Sequence, residues 1–401
     1  MRPIRVLAAD DSAVMRGVYR RLFRPGGEAS LAGVRGVELC GIVEDGVACL
    51  DAVCALRPDV VVLDVEMPRM HGLEVLKRLR REQPGLPVIL CSSSTESGAQ
   101  ITFEALALGA ADYVTKPGAD SGGPRAMEIL GEHLLGKVAA LGHKRIQGAG
   151  AGAAHWVSVL QQQCAGEPVE RVARRVDVVV IGVSTGGPSA LEQVLPRLPA
   201  DFPAPVLIAQ HMPKVFTAAL AERLNRGCAL HVREAYDGAR IRPGEVWLAP
   251  GDAHMEIHDE GCVPGGAGRT VRLWRDHERN FCTPSADVLF RSAARTCGGA
   301  TLAVVMTGMG ADGLAGARSV HQAGGTVIAQ DEATSAVWGM PGRVFEAGIV
   351  RRLLPVQQIA EELMQRVAFP AMRQDLAVAA KRPVGWAEGQ DTAAGRIYGV
   401  Q

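Results

Sequence analysis

The chain has 401 residues, enough for two or three domains that each bury a core of their own. Hydrophobic residues make up 47% but aromatics only 4%, which suits an aliphatic α/β interior and not a β-sandwich rich in Tyr and Trp. Lys plus Arg balance Asp plus Glu at 43 each, so no net field draws in nucleic acid or inserts the chain into an anionic membrane.

The first residues, MRPIRVLAADD, form a short strand-like run that meets two acids, without the longer apolar segment of a signal peptide. From residue 4 to about 140, β-branched runs alternate with amphipathic stretches. The expected strands are Ile4–Ala9, Val37–Val43, Asp59–Leu63, Pro87–Cys91 and Asp112–Thr115. Between them lie helical periods, such as Val14, Val18 and Leu22, or Leu73, Leu76 and Leu79. Strands interleaved with helices predict a parallel sheet covered on both faces, here over residues 1–141. Residues 142–176 read as a Gly/Ala-rich and then polar linker, with one short helix expected over Trp156–Gln163. A second, doubly wound α/β unit is expected over 177–367, opening on DVVVIGV. Its further strands are expected at Val206–Ala209, Ala229–Val232, Glu245–Leu248, Thr270–Trp274, Thr301–Met306 and Thr326–Ala329. Prolines 188, 213 and 284 mark helix starts, with Thr283 expected to cap the last of these. Residues 368–401 form a tail expected to be partly disordered. No run approaches the roughly 18 apolar residues of a membrane helix. The nine cysteines are scattered, without a CxxC pair, as reduced thiols of a cytoplasmic protein would be.

Chemistry-bearing residues collect at the strand ends. Asp10 and Asp11 end the first strand, Asp64 the third, Ser92 the fourth, and Lys116 follows the fifth. In a parallel sheet all project from the carboxyl edge, where open α/β folds bind ligands. Three converging carboxylates repel one another unless a divalent cation shares them, and oxygen-only ligation suits Mg²⁺. One carboxylate can then attack a phosphoryl group, while a lysine and a serine bind the added oxygens. A single strand-end Asp more often caps a helix, but this many polar groups in register favour a site. The pieces AADDS, LDVEMPRM, Ser92 and TKP resemble a response-regulator receiver domain. The resemblance implies Asp64 as phosphoacceptor, Asp10, Asp11 and Asp64 on Mg²⁺, and Ser92 and Lys116 as sensors of the phosphoryl group. His71 stands where that family more often has Asp.

In the second unit, IGVSTGGP puts Ser184 in a G-x-S-x-G turn between a buried strand and a helix. Such a turn alone also cradles phosphates, and a nucleotide-binding reading competes with it. His211 follows the strand VLIAQ, and Asp312 follows TLAVVM in TGMGADG. Nucleophile, base and orienting carboxylate are thus each expected just past a separate buried strand. That is the geometry of a Ser-His-Asp triad. Backbone N–H groups at Thr185 or Met309 are the candidates for an oxyanion hole.

The motifs IGVSTGGP, QHMP, LAPGDAHM, PSADVLFRS, TGMGADG and WGMPGRVFEAG resemble, in order, the catalytic domain of the CheB family. That resemblance implies an enzyme that demethylates glutamate methyl esters, and deamidates glutamines, on methyl-accepting chemoreceptors. A chemotaxis histidine kinase would be the phosphodonor. It implies Ser184 as nucleophile, His211 as base, Asp312 as orienter, and no cofactor for the esterase. Cys282 and Thr283 stand where the family usually has His and Arg. The pair His254 and His258 has zinc-like spacing but not the HExxH order; His254 is the one expected to line the groove.

Overall fold

The structure, a computed structural model, describes residues 2–24, 36–117, 124–147, 175–263, 266–275 and 282–367. The first sheet holds β1 (Ile4–Ala9), β2 (Val37–Val43), β3 (Val60–Asp64), β4 (Val88–Ser92) and β5 (Asp112–Thr115) in the order β2-β1-β3-β4-β5. Every pairing is parallel. Its helices are α1 (Ala13–Leu22), α2 (Gly46–Leu56), α3 (Gly72–Glu82), α4 (Glu96–Ala107) and α5 (Pro124–Gln147). β3 and β4 are buried along their whole length, which is why they read as near-continuous aliphatic runs.

The face of α1 differs from the expected stripe. Val18 and Leu22 are buried as expected, but Val14 is 68% exposed, and Met15 and Tyr19 complete the buried face in its place. Those four buried residues keep steps of three and four residues and so share one side of the helix. α5 runs on to Gln147, so residues 142–147 of the expected linker are helical. The helix expected over Trp156–Gln163 and the tail 368–401 lie outside the described residues.

The second sheet is seven-stranded and wholly parallel, in the order β14-β13-β12-β6-β7-β9-β8. Its strands are β6 (Val178–Val183), β7 (Val206–Gln210), β8 (His231–Glu234), β9 (Glu245–Leu248), β12 (Thr301–Val305), β13 (Thr326–Gln330) and β14 (Arg352–Leu354). β10 (His254–Val263) and β11 (Gly266–Trp274) form a separate antiparallel hairpin. The helices are α6 (Gly187–Val194), α7 (Lys214–Gly227), α8 (Ala286–Cys297), α9 (Leu314–Gln322), α10 (Met340–Glu346) and α11 (Val356–Val367). The cap of α8 is Ser285, not Thr283: Ser285 Oγ accepts from the Val288 N–H at 3.4 Å, leaving Pro284 outside the helix.

In both sheets the chain reverses its direction of travel beside the first strand. β1 has β2 on one side and β3 on the other, and β6 likewise lies between β7 and β12. A crevice opens at the carboxyl ends where strand order reverses, and both candidate sites sit there. A hydrophobic cluster runs from the first sheet into the second through Phe103, Tyr113 and Phe216.

Candidate active site and phosphorylation pocket

At the first switch point the carboxylates of Asp10, Asp11 and Asp64 place oxygens within 4.8 Å of one another. Lys116 Nζ stands 2.7 Å from Asp64 Oδ2 and 3.0 Å from Asp10 Oδ2. Burial raises the Asp64 carboxyl to about 6, against the hydrogen bond and charge of Lys116 and with the repulsion of Asp10. Lys116 itself is raised: burial opposes this, and the two carboxylates outweigh it. A cavity of about 150 Å³ opens here, lined by Asp11, Asp64, Glu66, Ser92, Ser93 and Lys116 among others. The Ser92 hydroxyl donates to the Gly98 carbonyl at 3.1 Å. Tyr19, which the sequence did not single out, donates its buried hydroxyl to Asp10 Oδ2 at 2.9 Å.

At the second switch point His211 Nε2 lies 2.7 Å from Asp312 Oδ2. Asp312 is anchored by the start of α8. Its Oδ2 accepts from the Ala286 N–H at 2.7 Å, and its Oδ1 accepts from the Ser285 hydroxyl at 2.8 Å and the Asp287 N–H at 3.0 Å. Burial would raise this carboxyl, but the bond and charge of His211, then Ser285 and Ala286, hold it down at about 2. A helix N-terminus favours that charge further. Burial would also lower His211. Its hydrogen bonds to Asp312 and to the Cys282 side chain raise it to about 9 instead.

Ser184 caps the end of β6. Its N–H donates to the Thr307 carbonyl at 3.0 Å, which ties it to the turn after β12. Gly186 has φ +75°, the left-handed turn that lets the chain enter α6 directly. Gly308 passes so close that an added Cβ would stand 2.8 Å from Ser184 Cβ, so only glycine lets the two turns meet. Thr185 is held in the same cluster, its carbonyl accepting from Thr307 Oγ1 at 2.9 Å. Among the described residues the Ser184 hydroxyl makes no hydrogen bond, to His211 or to any other group.

Sequence reading missed the residues that brace this site. Gln210, fully buried, donates to the Ser184 carbonyl at 3.0 Å and the His211 carbonyl at 3.2 Å, tying the Ser184 and His211 loops together. Gln330 Oε1 accepts from the Thr307 N–H at 2.9 Å. His254 Nδ1 accepts from the Ser285 N–H at 3.2 Å, with its ring 4.7 Å from that of Trp274. A buried glutamine at a strand's carboxyl end was the available signal for both amides.

The first sheet's unit lies against this site. Phe216 on α7 stacks on Tyr113 at 4.7 Å and meets Phe103 edge-on at 6.2 Å. Met309 reaches α5 beside Gly136, and Lys144 donates to the Ser335 carbonyl.

Residues 179–363 match the family described as CheB methylesterase, and residues 6–122 match the response regulator receiver domain. A protein-glutamate methylesterase/protein-glutamine glutaminase of Trichodesmium erythraeum is 39% identical over 92% of this chain and 100% of its own. The chain belongs to the CheB methylesterase family. A second relative of that name, from Caulobacter vibrioides, is 42% identical over 90% of this chain and 99% of its own. The crystal structure of the Thermotoga maritima CheB methylesterase catalytic domain matches at 42% identity with TM-score 0.45, covering 48% of this chain and 99% of that one. This chain carries the receiver match first and the methylesterase match after it. No helix of the described residues is long and apolar enough to cross a membrane.

Proposed function

We propose that this chain is a phosphorylation-regulated protein-glutamate methylesterase and protein-glutamine glutaminase, acting in the cytoplasm on methyl-accepting chemoreceptors. The observation that carries this is the 2.7 Å His211–Asp312 pair, set on the N-terminus of α8 beside the Ser184 turn. Ser184 Oγ attacks the glutamyl ester or amide carbonyl, and its proton passes to His211 Nδ1, since Nε2 is held by Asp312. An imidazolium then forms against a carboxylate that stays ionised. The methoxy or amino leaving group takes the proton from His211 and departs as methanol or ammonia, and water then attacks the acyl-enzyme with His211 again as base. The N–H groups of Thr185 and Met309 are the oxyanion donors in this reading.

In the receiver, Asp64 takes the phosphoryl group from a chemotaxis histidine kinase. Asp10, Asp11 and Asp64 fit Mg²⁺: they offer hard oxygen donors within 4.8 Å of one another. Mg²⁺ supplies charge neutralisation for phosphoryl transfer. Lys116, already on Asp64, and Ser92, after turning from Gly98, bind the new phosphoryl oxygens. The packing of Phe216 on Tyr113 and of Met309 on α5 supports a receiver that limits access to the esterase until Asp64 is phosphorylated.

Methanol release from membranes carrying methylated chemoreceptors tests the assignment. Ser184→Ala should abolish it in a folded protein, and Asp312→Asn should lose less than His211→Ala if Asp312 only orients the base. An active Ser184→Ala variant overturns the triad.

A further inference from the structure

We infer that Tyr19 is the residue that positions Asp10 for the receiver's cation: it is a neutral donor that holds the buried carboxylate in place, leaves its charge for Mg²⁺ and lets Lys116 move to the phosphoryl group. This rests on the Mg²⁺ reading of Asp10, Asp11 and Asp64 given above, though the contact itself does not.

The placement follows from α1. Of the four residues on its buried face, Met15, Val18, Tyr19 and Leu22, only Tyr19 carries a hydroxyl, and it is 0% exposed. A phenol buried that deeply must find its partners inside the protein. Its oxygen lies 2.9 Å from Asp10 Oδ2, directly after β1, and 3.1 Å from the sulfur of Cys91, on β4 directly before Ser92. The phenol has one proton to give. A carboxylate can only accept, so Asp10 is the group that receives it. One side chain of α1 is thereby tied to the ends of two strands at the phosphorylation pocket.

Asp10 depends on such a donor because water does not reach it. Asp10 is fully buried, whereas Asp11 is exposed. Its Oδ1 accepts from the Ser12 N–H at 3.0 Å, and its Oδ2 has Tyr19 and, at 3.0 Å, Lys116 Nζ. Lys116 is shared, since it also lies 2.7 Å from Asp64 Oδ2. In the phosphorylation reading that ammonium moves to the oxygens of the new phosphoryl group. Without Tyr19, Oδ2 is then a buried carboxylate oxygen with no donor, which is costly. The two donors also differ in kind. An ammonium brings a full positive charge, which offsets the negative charge that a cation seeks. A phenol, uncharged at pH 7, fixes the carboxylate and leaves that charge in place. Partners that orient a metal-binding side chain in this way are worth about 10- to 100-fold in metal affinity. Tyr19 does not line the cavity at Asp64, so it acts through Asp10 and is a positioning residue.

The test uses the full-length protein and Tyr19→Phe, which keeps the ring and its packing and removes only the hydroxyl. Mg²⁺ affinity is measured by calorimetric titration of the metal-free wild type and variant. Labelling of Asp64 by a small phosphodonor is followed on the same samples across a range of Mg²⁺ concentrations. Tyr19→Phe should bind Mg²⁺ about tenfold more weakly. Half-maximal labelling should need about tenfold more Mg²⁺, while the labelling rate at saturating Mg²⁺ should match the wild type. A role in packing alone would lower stability without moving the Mg²⁺ midpoint. Equal Mg²⁺ affinity in the two proteins overturns the inference, and so does a saturating rate that falls while the midpoint stays put. A wild type that binds no Mg²⁺ overturns the cation reading itself, and the role of Tyr19 falls with it.

Discussion

Asp64 carries a carboxyl that burial lifts from its ordinary 3.8 to about 6, even with the Lys116 ammonium 2.7 Å away. Because its value is raised on folding, it favours the folded chain only while protonated. That contribution is complete below about pH 4 and is lost as pH rises through about 6. At pH 7 the ionised carboxylate is therefore a strained charge. Asp64→Asn should melt at a higher temperature than the wild type at pH 7, and the gap should close toward pH 4. Mg²⁺ should stabilise the wild type more than the variant at pH 7, since it binds the folded state alone. A variant that melts below the wild type at pH 7 would mean that the Lys116 pairing outweighs burial. The cluster of acids and its lysine were legible in the sequence. The Tyr19 bond to Asp10 was not, because nothing in the helical period of α1 says which buried side chain ends beside which strand.

At the scale of elements, α8 and α9 brace each other by their first turns. Asp312, just before α9, accepts from two N–H groups opening α8, and Asp287 in the first turn of α8 accepts from the Gly316 N–H at 2.7 Å. Each helix thus receives a carboxylate from the other where its own N–H groups lack partners. Ser285 joins the two, capping α8 and donating to Asp312. Ser285→Ala should cost about 1 kcal/mol of stability as a lost cap. It should also slow ester hydrolysis several-fold, less than Asp312→Asn does, because the backbone donors remain. Denaturant unfolding alongside kcat/KM checks both, and an unchanged rate would remove Ser285 from the support of the triad. Local pattern placed α8 correctly but capped it at Thr283, since a Thr-Pro pair reads as a helix start, while the cap bond falls two residues on, from the Val288 N–H to Ser285. β14 spans only Arg352–Leu354 and β10 carries polar residues, so neither shows a clean strand period.

Across the whole molecule, α7 links catalysis to the receiver. It starts at Lys214, directly after the His211 loop, and within its first turn Phe216 inserts between Phe103 and Tyr113 of the receiver. Tyr113 lies on β5, which leads to Lys116 on the Asp64 carboxylate. A rearrangement at Asp64 and Lys116 can thus reach the esterase through one strand and one aromatic stack. Phe216→Ala should raise the unphosphorylated rate of the full-length chain and shrink the stimulation by a small phosphodonor. A chain starting at Arg175 should show the high rate and ignore the phosphodonor. A coupling of about 1–3 kcal/mol corresponds to about 5- to 150-fold activation. Equal rates for the full-length and shortened chains, with no phosphodonor effect, would leave the receiver a role in docking instead of gating.

Sequence by itself determined what depends on neighbours along the chain. The buried aliphatic runs set both parallel sheets, and the residues that follow each run land at the carboxyl edges. Asp10, Asp64, Lys116, Ser184, His211 and Asp312 are legible for that reason. Tertiary structure decided which distant groups meet. Gln210 ties the Ser184 and His211 loops together, Ser285 clasps Asp312, and Phe216 stacks on Tyr113. None of these contacts repeats with a helical or strand period. Each arises because two segments far apart in sequence are brought together by packing of the sheets and their helices, and only the folded chain shows where those surfaces touch.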